Sequence, residues 1–265
     1  MSRITKILPS MDGVAANSTA VQKLPIGPTY DQIVIDYSAS GALTRANIQN
    51  IEVEINGKTI QKFADGDQLQ ALNDFYGRPD NTGFLTLYFA RPEMTELAHE
   101  RATALGTADV QTANIKMDIA TATTPSITCT AIQSEAAPLG LITKVKEYLV
   151  TAAGAGQIEI DEIVRGPRVM AIHFFKTDVS NVVIEADSRR VFEGAKATLE
   201  IIQGNAGRVP VTATCTHVDF LLEGDHAQAM LSDKKSITDL RYLPTVGSAG
   251  QIRIVTEYLD AFAGI

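Results

Sequence analysis

The chain lacks tryptophan, and aromatic residues make up only 6% of its 265 positions. It also lacks long apolar runs: the longest apolar stretches, such as Val169–Phe175, fall far short of the roughly 20 residues that span a bilayer as a helix. Near the start, Arg3 and Lys6 are not followed by the apolar segment of a secretory signal. These absences exclude a helical membrane protein and predict a chain that is soluble when made.

Cysteine is scarce, and so are the motifs of common enzymes. Cys129 and Cys215 both lie in strand-like segments, which favours two buried reduced thiols over a disulfide or a reactive thiol. Gly154 and Gly156 form a lone G-x-G without the third glycine and the helix of a nucleotide fingerprint, and we interpret them as a flexible turn. The sequence contains no G-x-S-x-G elbow and no P-loop. We therefore expect that the protein is not an enzyme.

Positive charge is in deficit. The chain carries 23 Lys and Arg against 31 Asp and Glu, for a formal net charge of −8. Proteins that bind nucleic acid usually collect basic residues on one face, where they displace counterions from phosphates. The charge argues against direct sequence-specific nucleic-acid binding, although it leaves a local basic patch open.

Strand signals dominate what is present. Period-two alternation and short β-branched or aromatic runs recur at short intervals, separated by Gly, Pro, Asn and Asp. This spacing predicts an all-β protein with antiparallel sheets, and not a parallel α/β sheet. The predicted strands are Ile33–Tyr37, Ile51–Ile55, Gly83–Ala90, Asn114–Ile119 and Ser126–Ile132, then Val145–Thr151, Gln157–Val164, Val169–Phe175, Val182–Ala186, His217–Leu222, Ser236–Tyr242 and Gln251–Leu259.

Short helices interrupt the strands. Apolar residues at helical spacing, each followed by a glycine, predict three of them in the loops. They run from about Asp67 to Gly77, from Met94 to near Gly106, and over Ala195–Ile202 before Gly204.

The two halves of the chain match at one hairpin. Asn50 stands opposite Asn181 and Glu54 opposite Glu185, an offset of 131 residues (181 − 50). The two turns are Asn56-Gly57-Lys58 and Asp187-Ser188-Arg189, and both suit the tight connection of antiparallel strands. At the same offset, apolar residues fall opposite one another: Ile48, Ile51, Val53, Ile55 and Ile60 against Val179, Val182, Ile184, Ala186 and Val191.

This duplication predicts two similar domains. A sandwich of about 130 residues has the size of one eight-stranded jelly roll, so we predict a double jelly roll with short helices in the loops. The joint is expected in Ser134–Thr143, where Pro138 and Gly140 interrupt the pattern, giving an N-terminal jelly roll over residues 1–138 and a C-terminal one over 139–265. Three such chains would present six similar lobes, which suits a sixfold position in a closed lattice.

The sequence resembles the major capsid proteins of corticoviruses, the tailless icosahedral bacteriophages with an internal membrane, which belong to the double jelly-roll group that includes adenovirus hexon. Six blocks in order along the chain carry the resemblance. They are Lys23–Gly27 with Thr29-Tyr30, Arg91–Met94, Ala104–Thr107, Ile115-Lys116 with Asp118-Ile119, Ala171–His173, and Asp219-Phe220 with Leu222–Asp225. The connecting segments Ala64–Thr82 and Ala120–Lys144 depart from the family sequence, which puts loop lengths and subunit contacts in doubt.

The resemblance implies a structural virion protein, made in the bacterial host cytoplasm and incorporated into the capsid shell. Its partners would be further copies of itself, forming a pseudo-hexameric homotrimer and then the lattice, together with a vertex or penton protein and the internal viral membrane with its proteins. Arg3 and Lys6, with Ile4, Ile7 and Leu8, form a basic and apolar arm that could contact anionic lipid or a neighbouring subunit. A loosely ordered terminus is the alternative.

No residue set predicts catalysis or a resident cofactor. The histidines are dispersed, with His173 expected in the core or an interface and His99 expected to be solvated. Asp65-Gly66-Asp67 is interpreted as a turn with a helix N-cap, and Arg189-Arg190 as a solvated turn.

One loop is a weak candidate for structural calcium. Glu223 and Asp225, in the run Glu223–His226, could contribute oxygens to the six to eight that calcium takes, although a polar strand end is the simpler interpretation.

Two other functional classes stay open at this point. A carbohydrate-binding protein of lectin or spike type would suit a double sandwich, but the scarcity of aromatic residues gives it little support. A cupin-like metalloenzyme would need clustered, inward-facing His and Glu, which the dispersed histidines do not suggest.

Overall fold

The computed structural model describes residues 3–264, and its contacts divide the chain into two units. The first unit consists of Met1–Asp74 and Arg78–Val145, and the second of Phe75–Gly77 and Lys146–Ile265. Each unit is all-β, with helices confined to the connections.

The first unit contains two antiparallel sheets of four main strands. Their orders are β1-β9-β3-β6, with short β7 beside β3, and β5-β4-β8-β2. The elements are β1 (Ile4–Ile7), β2 (Ser18–Lys23), β3 (Thr29–Asp36), β4 (Ile48–Ile55), β5 (Lys58–Asp65), α1 (Gly66–Phe75), β6 (Phe84–Tyr88), α2 (Leu97–Arg101), β7 (Leu105–Gly106), β8 (Ala113–Ile119) and β9 (Thr128–Ser134), with a 3-10 turn at Arg45–Asn47.

The second unit repeats this arrangement strand for strand. Its orders are β10-β18-β12-β15, with short β16 beside β12, and β14-β13-β17-β11. The elements are β10 (Leu141–Ala152), β11 (Gly156–Gln157), β12 (Arg168–Phe175), β13 (Val179–Ala186), β14 (Arg189–Ala195), α3 (Lys196–Asn205), β15 (Cys215–Asp219), β16 (Met230–Leu231), β17 (Leu240–Val246) and β18 (Gly250–Ala261), with a 3-10 turn at His226–Gln228. Each unit is therefore an eight-stranded jelly roll, as the sequence predicted.

The matched hairpins confirm the duplication at atomic detail. In the turns, Asn56 and Gly57 have φ of 48° and 79°, and Asp187 and Ser188 have φ of 47° and 65°, as a type I′ turn requires. Oδ1 of Asn56 accepts hydrogen bonds from two successive backbone N–H groups at 2.8 and 3.0 Å, and Oδ1 of Asp187 does the same at 2.9 and 2.8 Å. Equivalent residues therefore perform equivalent roles in both units.

The helices that follow the hairpins are also equivalent, at an offset of 130 residues. Nδ2 of Asn73 in α1 donates to the carbonyl of Thr86 in β6 at 2.9 Å. Nε2 of Gln203 in α3 donates to the carbonyl of His217 in β15 at 2.7 Å. After each helix a glycine with positive φ precedes an arginine, Gly77-Arg78 in one unit and Gly207-Arg208 in the other.

Two of the predicted helices need correction. The helix expected from Met94 to near Gly106 is only α2, because the chain turns at Met94 and Leu105-Gly106 pair with β3 as β7. Gly204 does not end the third helix but lies inside α3, which continues to Asn205. The first prediction is confirmed: Oδ1 of Asp65 accepts from the backbone N–H of Gln68 at 2.8 Å and caps the start of α1.

Two strand predictions in the second half were misplaced. Of Gln157–Val164, only Gln157 belongs to a strand, since most of this segment runs as a loop with one isolated bridge from Ile160 to Tyr242. The strand expected over Ser236–Tyr242 is β17, which begins at Leu240, because Asp233 holds the backbone N–H groups of Lys235 and Ser236 in a turn. Apolar residues in these loops point into the core and imitate a strand pattern.

Each unit has its own core of inward-facing strand residues. In β8 every second side chain is buried, from Ala113 to Ile119, as expected for a strand with one face on the core. Cys129 and Cys215 are buried free thiols, which confirms the prediction. In the described part of the chain, no helix is long and apolar enough to cross a membrane.

Candidate functional site

The densest group of chemically active side chains is a buried cluster in the second unit. His173 lies on β12 and His217 on β15, and the two residues are register partners in the sheet. Glu257 comes from the neighbouring strand β18, and Tyr76 follows α1. All four side chains are buried. The histidines that are dispersed in the sequence are therefore partly brought together, contrary to expectation.

The hydrogen bonds of this cluster define a single direction of proton donation. The backbone N–H of Val211 donates to Nε2 of His217 at 3.2 Å, so that nitrogen carries no proton. The ring proton of His217 is therefore on Nδ1, which donates to Nδ1 of His173 at 2.7 Å. Nε2 of His173 then donates to Oε1 of Glu257 at 3.2 Å, and the Tyr76 hydroxyl donates to the same oxygen at 3.0 Å. This arrangement leaves each imidazole with one ring proton, on Nδ1 of His217 and on Nε2 of His173.

An aromatic ring packs against both histidines of the cluster. The ring of Phe75 stacks on His217 with centroids 4.1 Å apart and meets His173 edge-on at 5.5 Å. Burial, reinforced by the positive charge of Lys196, holds the pKa of His217 well below its ordinary value. A further proton on either ring would break a hydrogen bond that the neutral form makes.

The contacts of this cluster differ from those of a reactive cysteine and from those of a zinc site. Cys215 Sγ lies 3.8 Å from Nδ1 of His217, but burial raises the pKa of the thiol well above its ordinary value, whereas a catalytic cysteine needs a lowered pKa and access to solvent. The 2.7 Å between the two Nδ1 atoms is a hydrogen bond, since two nitrogens on one zinc ion lie about 3.3 Å apart. In residues 3–264, no group of three or more His, Cys, Asp or Glu could hold a metal.

A buried ion pair lies close to this cluster in the same unit. Nε of Arg208 contacts Oδ2 of Asp219 at 2.8 Å, and Nη2 of Arg208 donates to the carbonyl of Leu221 at 2.9 Å. The other carboxylate oxygen of Asp219 accepts from the backbone N–H of Leu221 at 2.7 Å. Asp219 thus fixes the chain where β15 ends and the next loop begins.

The calcium candidates lie on the loop after β15. Oδ1 of Asp225 caps the 3-10 turn by accepting from the backbone N–H of Ala227 at 2.7 Å. Glu223 accepts a hydrogen bond from Nε2 of Gln228. These two carboxylates supply only part of the six to eight oxygens that calcium takes.

The remaining sequence candidates occupy surface positions. His99 is half-buried on α2, where solvation was expected. Arg190 is exposed in its hairpin and pairs with Glu185 and Glu193. In the arm, Ile4–Ile7 pair with β9, while Met1 and Ser2 lie outside the described residues. Arg3 forms ion pairs with Asp31 at 2.8 Å and Glu100 at 2.6 Å.

Sequence reasoning missed the contributions of Glu257 and Tyr76. Both act across long separations in the chain, and neither lies in a recognisable motif. A signal existed for His173 and His217, because each lies in a strand otherwise made of core residues, so a polar side chain there needs a buried partner.

Comparison with known proteins gives matches over both units. Residues 5–135 match the viral coat protein P2 N-terminal domain, and residues 142–262 match the viral coat protein P2 C-terminal domain. The major capsid protein P2 of Pseudoalteromonas phage PM2 is 31% identical over 97% of this chain and 96% of its own length. These similarities give no support to the carbohydrate-binding alternative.

Solved structures agree. The crystal structure of P2 from bacteriophage PM2 superposes with a TM-score of 0.93 at 29% identity, covering 99% of this chain and 98% of that one. A chain of Sulfolobus Turreted Icosahedral Virus, at 11% identity with coverage of 99% and 92%, gives a TM-score of 0.71 and shows the shared fold. A chain of the PBCV-1 capsid, at 10% identity and covering 100% of this chain and 96% of that one, gives a TM-score of 0.66. The chain belongs to the viral coat protein P2 family.

Proposed function

We propose that this chain is a major capsid protein, the repeated structural subunit of a bacteriophage shell. The observation that carries the proposal is whole-length similarity to the major capsid protein of phage PM2, over both of its domains. The strand-for-strand duplication supports it, since a subunit of two like jelly rolls suits a lattice of like contacts.

In this proposal the capsomer is a homotrimer. Three chains provide six jelly rolls, so a threefold assembly occupies a position of sixfold shape in an icosahedral shell. The shell encloses an internal membrane, and its vertices are filled by a separate penton protein. The subunit is made in the bacterial cytoplasm and ends in the virion, and its net charge of −8 accords with a role that needs no sequence-specific contact with nucleic acid.

The proposal includes no catalysis. Its support is the state of the buried histidine cluster, whose hydrogen bonds are mutually satisfied and whose thiol neighbour has a raised pKa. Such a polar network specifies one packing of the core.

Structural calcium at Glu223 and Asp225 stays a prediction. If it is correct, treatment with a chelator will lower the melting temperature of the protein, and the double variant E223Q/D225N will abolish that response. Equal melting temperatures with and without chelator would contradict it.

The test of the proposed function is the mass of the purified protein in solution, by native mass spectrometry. We expect a stable species of three times the 28.5 kDa chain. A monomer at micromolar concentration would contradict the homotrimer.

A further inference from the structure

Nearly the same four-residue sequence lies at the start of the first strand of both jelly rolls but is buried in only one. Ile4-Thr5-Lys6-Ile7 forms β1, and Ile142-Thr143-Lys144-Val145 follows Leu141 in β10, the counterpart of β1 in the second unit. In β10 all four residues are buried, with Ile142 at 1% and Val145 at 3% exposure. In β1 all four are exposed, with Ile4 at 60% and Ile7 at 75%.

The burial of the β10 copy has an identifiable partner. Val145 pairs in parallel with Gln61 of β5, and Nε2 of Gln61 donates to the carbonyl of Thr143 at 3.0 Å. β10 thus has β18 on one side and β5 on the other, whereas in the described sheet β1 has β9 alone.

The counterpart of β5 has a neighbouring strand on one side only in its described sheet. This counterpart is β14, which ends its described sheet and pairs on one side with β13. Gln61 pairs with Val53, and Phe192 pairs with Ile184, so Gln61 and Phe192 occupy the same place in the two units. The preceding residue is buried in β5, as Ile60, but exposed in β14, as Val191.

The helices that follow β5 and β14 differ in exposure in the same way as the strands: the first is buried where the second is exposed. α1, which follows β5, buries its Leu72 to 3% exposure. α3, next to β14, shows Ile202, the counterpart of Leu72, at 47% exposure and Ile201 beside it still more exposed. Monomeric proteins rarely leave an apolar strand edge and an apolar helix face open side by side.

We propose that β1 of one copy of this chain pairs in parallel with β14 of a second copy, placing Ile7 beside Phe192 and covering the exposed face of α3. The contact repeats between chains what Val145 and Gln61 do within one. It rests on the proposed function, because it makes the partner another copy of the same coat protein. The two surfaces differ, so the contact is heterologous, and three copies close it into a ring.

One feature of the internal contact is absent from its counterpart. The side chain of Phe192 has no amide group, so the hydrogen bond that the side chain of Gln61 donates to the carbonyl of Thr143 has no equivalent. The proposed contact therefore relies on backbone pairing and on apolar burial of Ile7, Val191 and Ile202.

The test compares the oligomeric mass of Ile7→Asp with that of Ile7→Val by native mass spectrometry. Ile7→Val reproduces the residue of the buried copy and should remain trimeric. Ile7→Asp places a charge in the contact and should be monomeric at concentrations where the wild type is fully trimeric. A trimeric Ile7→Asp protein would overturn the proposal, and a monomeric wild type would overturn the proposed function as well.

A second measurement does not depend on disrupting the protein. The double variant Ile7→Cys/Val191→Cys, treated with a short bismaleimide, should run as a covalent trimer on a denaturing gel. The native thiols are buried and free, and the wild type and both single variants provide the background of the reaction. Absence of interchain products from a trimeric double variant would place the contact elsewhere and overturn the proposal.

Discussion

At the residue scale, the second unit depends on polar side chains that are buried with their partners. Arg208 and Asp219 form an ion pair, and Nδ1 of His217 donates a hydrogen bond to Nδ1 of His173. The sequence located these residues in strands or loops but could not pair them. Pairing across a sheet depends on strand order, which one sequence does not encode locally.

Replacing Asp219 with Asn should destabilise the protein by about 3–5 kcal/mol, because it leaves the Arg208 charge buried without a counter-ion. Asp239→Asn, which breaks the exposed pair with Arg241, is the matched control and should cost much less, because solvent screens the pair. Urea unfolding of both variants measures the difference. Equal costs would mean that burial does not govern the strength of these pairs.

The free energy of unfolding should decrease as the pH falls below about 6.5, the ordinary pKa of histidine. In this range His217 binds a proton in the unfolded chain but not in the folded one, where its pKa is lowered. The decrease should approach about 1.4 kcal/mol per pH unit for this one site and continue until the lowered pKa of the folded state is reached. The groups that face His217 are His173, Cys215, Lys196 and, through His173, Glu257.

Unfolding free energies measured from pH 7.5 to 5 test this. His217→Phe should be less stable at pH 7.5, since it leaves Nδ1 of His173 without its donor, but its stability should decline less steeply with acid. His99→Gln, outside the cluster, is the control for the loss of a histidine. An unchanged slope in His217→Phe would contradict the assignment of the neutral imidazole.

At the element scale, the sequence predicted strands best where one face is buried and the turn chemistry is strict. The hairpins at Asn56-Gly57 and Asp187-Ser188 were recognisable because few residues adopt positive φ at two successive positions. Prediction failed where a loop carries apolar residues, as at Ile160 and Ile163, which are buried without forming a regular strand. The repeated Ile-Thr-Lys motif escaped notice because its offset is 138 residues (142 − 4), which differs from the 131 of the hairpins.

Gly57→Ala should cost about 1–2 kcal/mol, because alanine resists the φ of 79° although its methyl group would meet no atom within 4 Å. Gly140→Ala is the matched control: its methyl group also meets nothing, and its φ lies outside the left-handed region. The control should be neutral or stabilising by up to about 1 kcal/mol. Thermal unfolding of the two variants separates backbone strain from crowding, and equal melting temperatures would contradict the turn assignment.

At the scale of the whole molecule, duplication explains both the likeness of the units and their differences. Phe75 and Tyr76 belong to the second unit and pack with its histidines, whereas Asn205 and Ala206 stand at the equivalent places in the sequence at the end of α3. The sequence predicted two similar halves. It could not predict which equivalent positions would have different roles, since that depends on which surfaces become buried when the chain folds.

The most direct test of the account is electron microscopy of the purified oligomer. Class averages viewed along its axis should show six lobes in a ring of threefold symmetry, with alternate lobes alike, because each chain contributes two jelly rolls. Single two-lobed particles, or a twofold dimer, would contradict the central claim that three of these chains build one pseudo-hexameric capsomer.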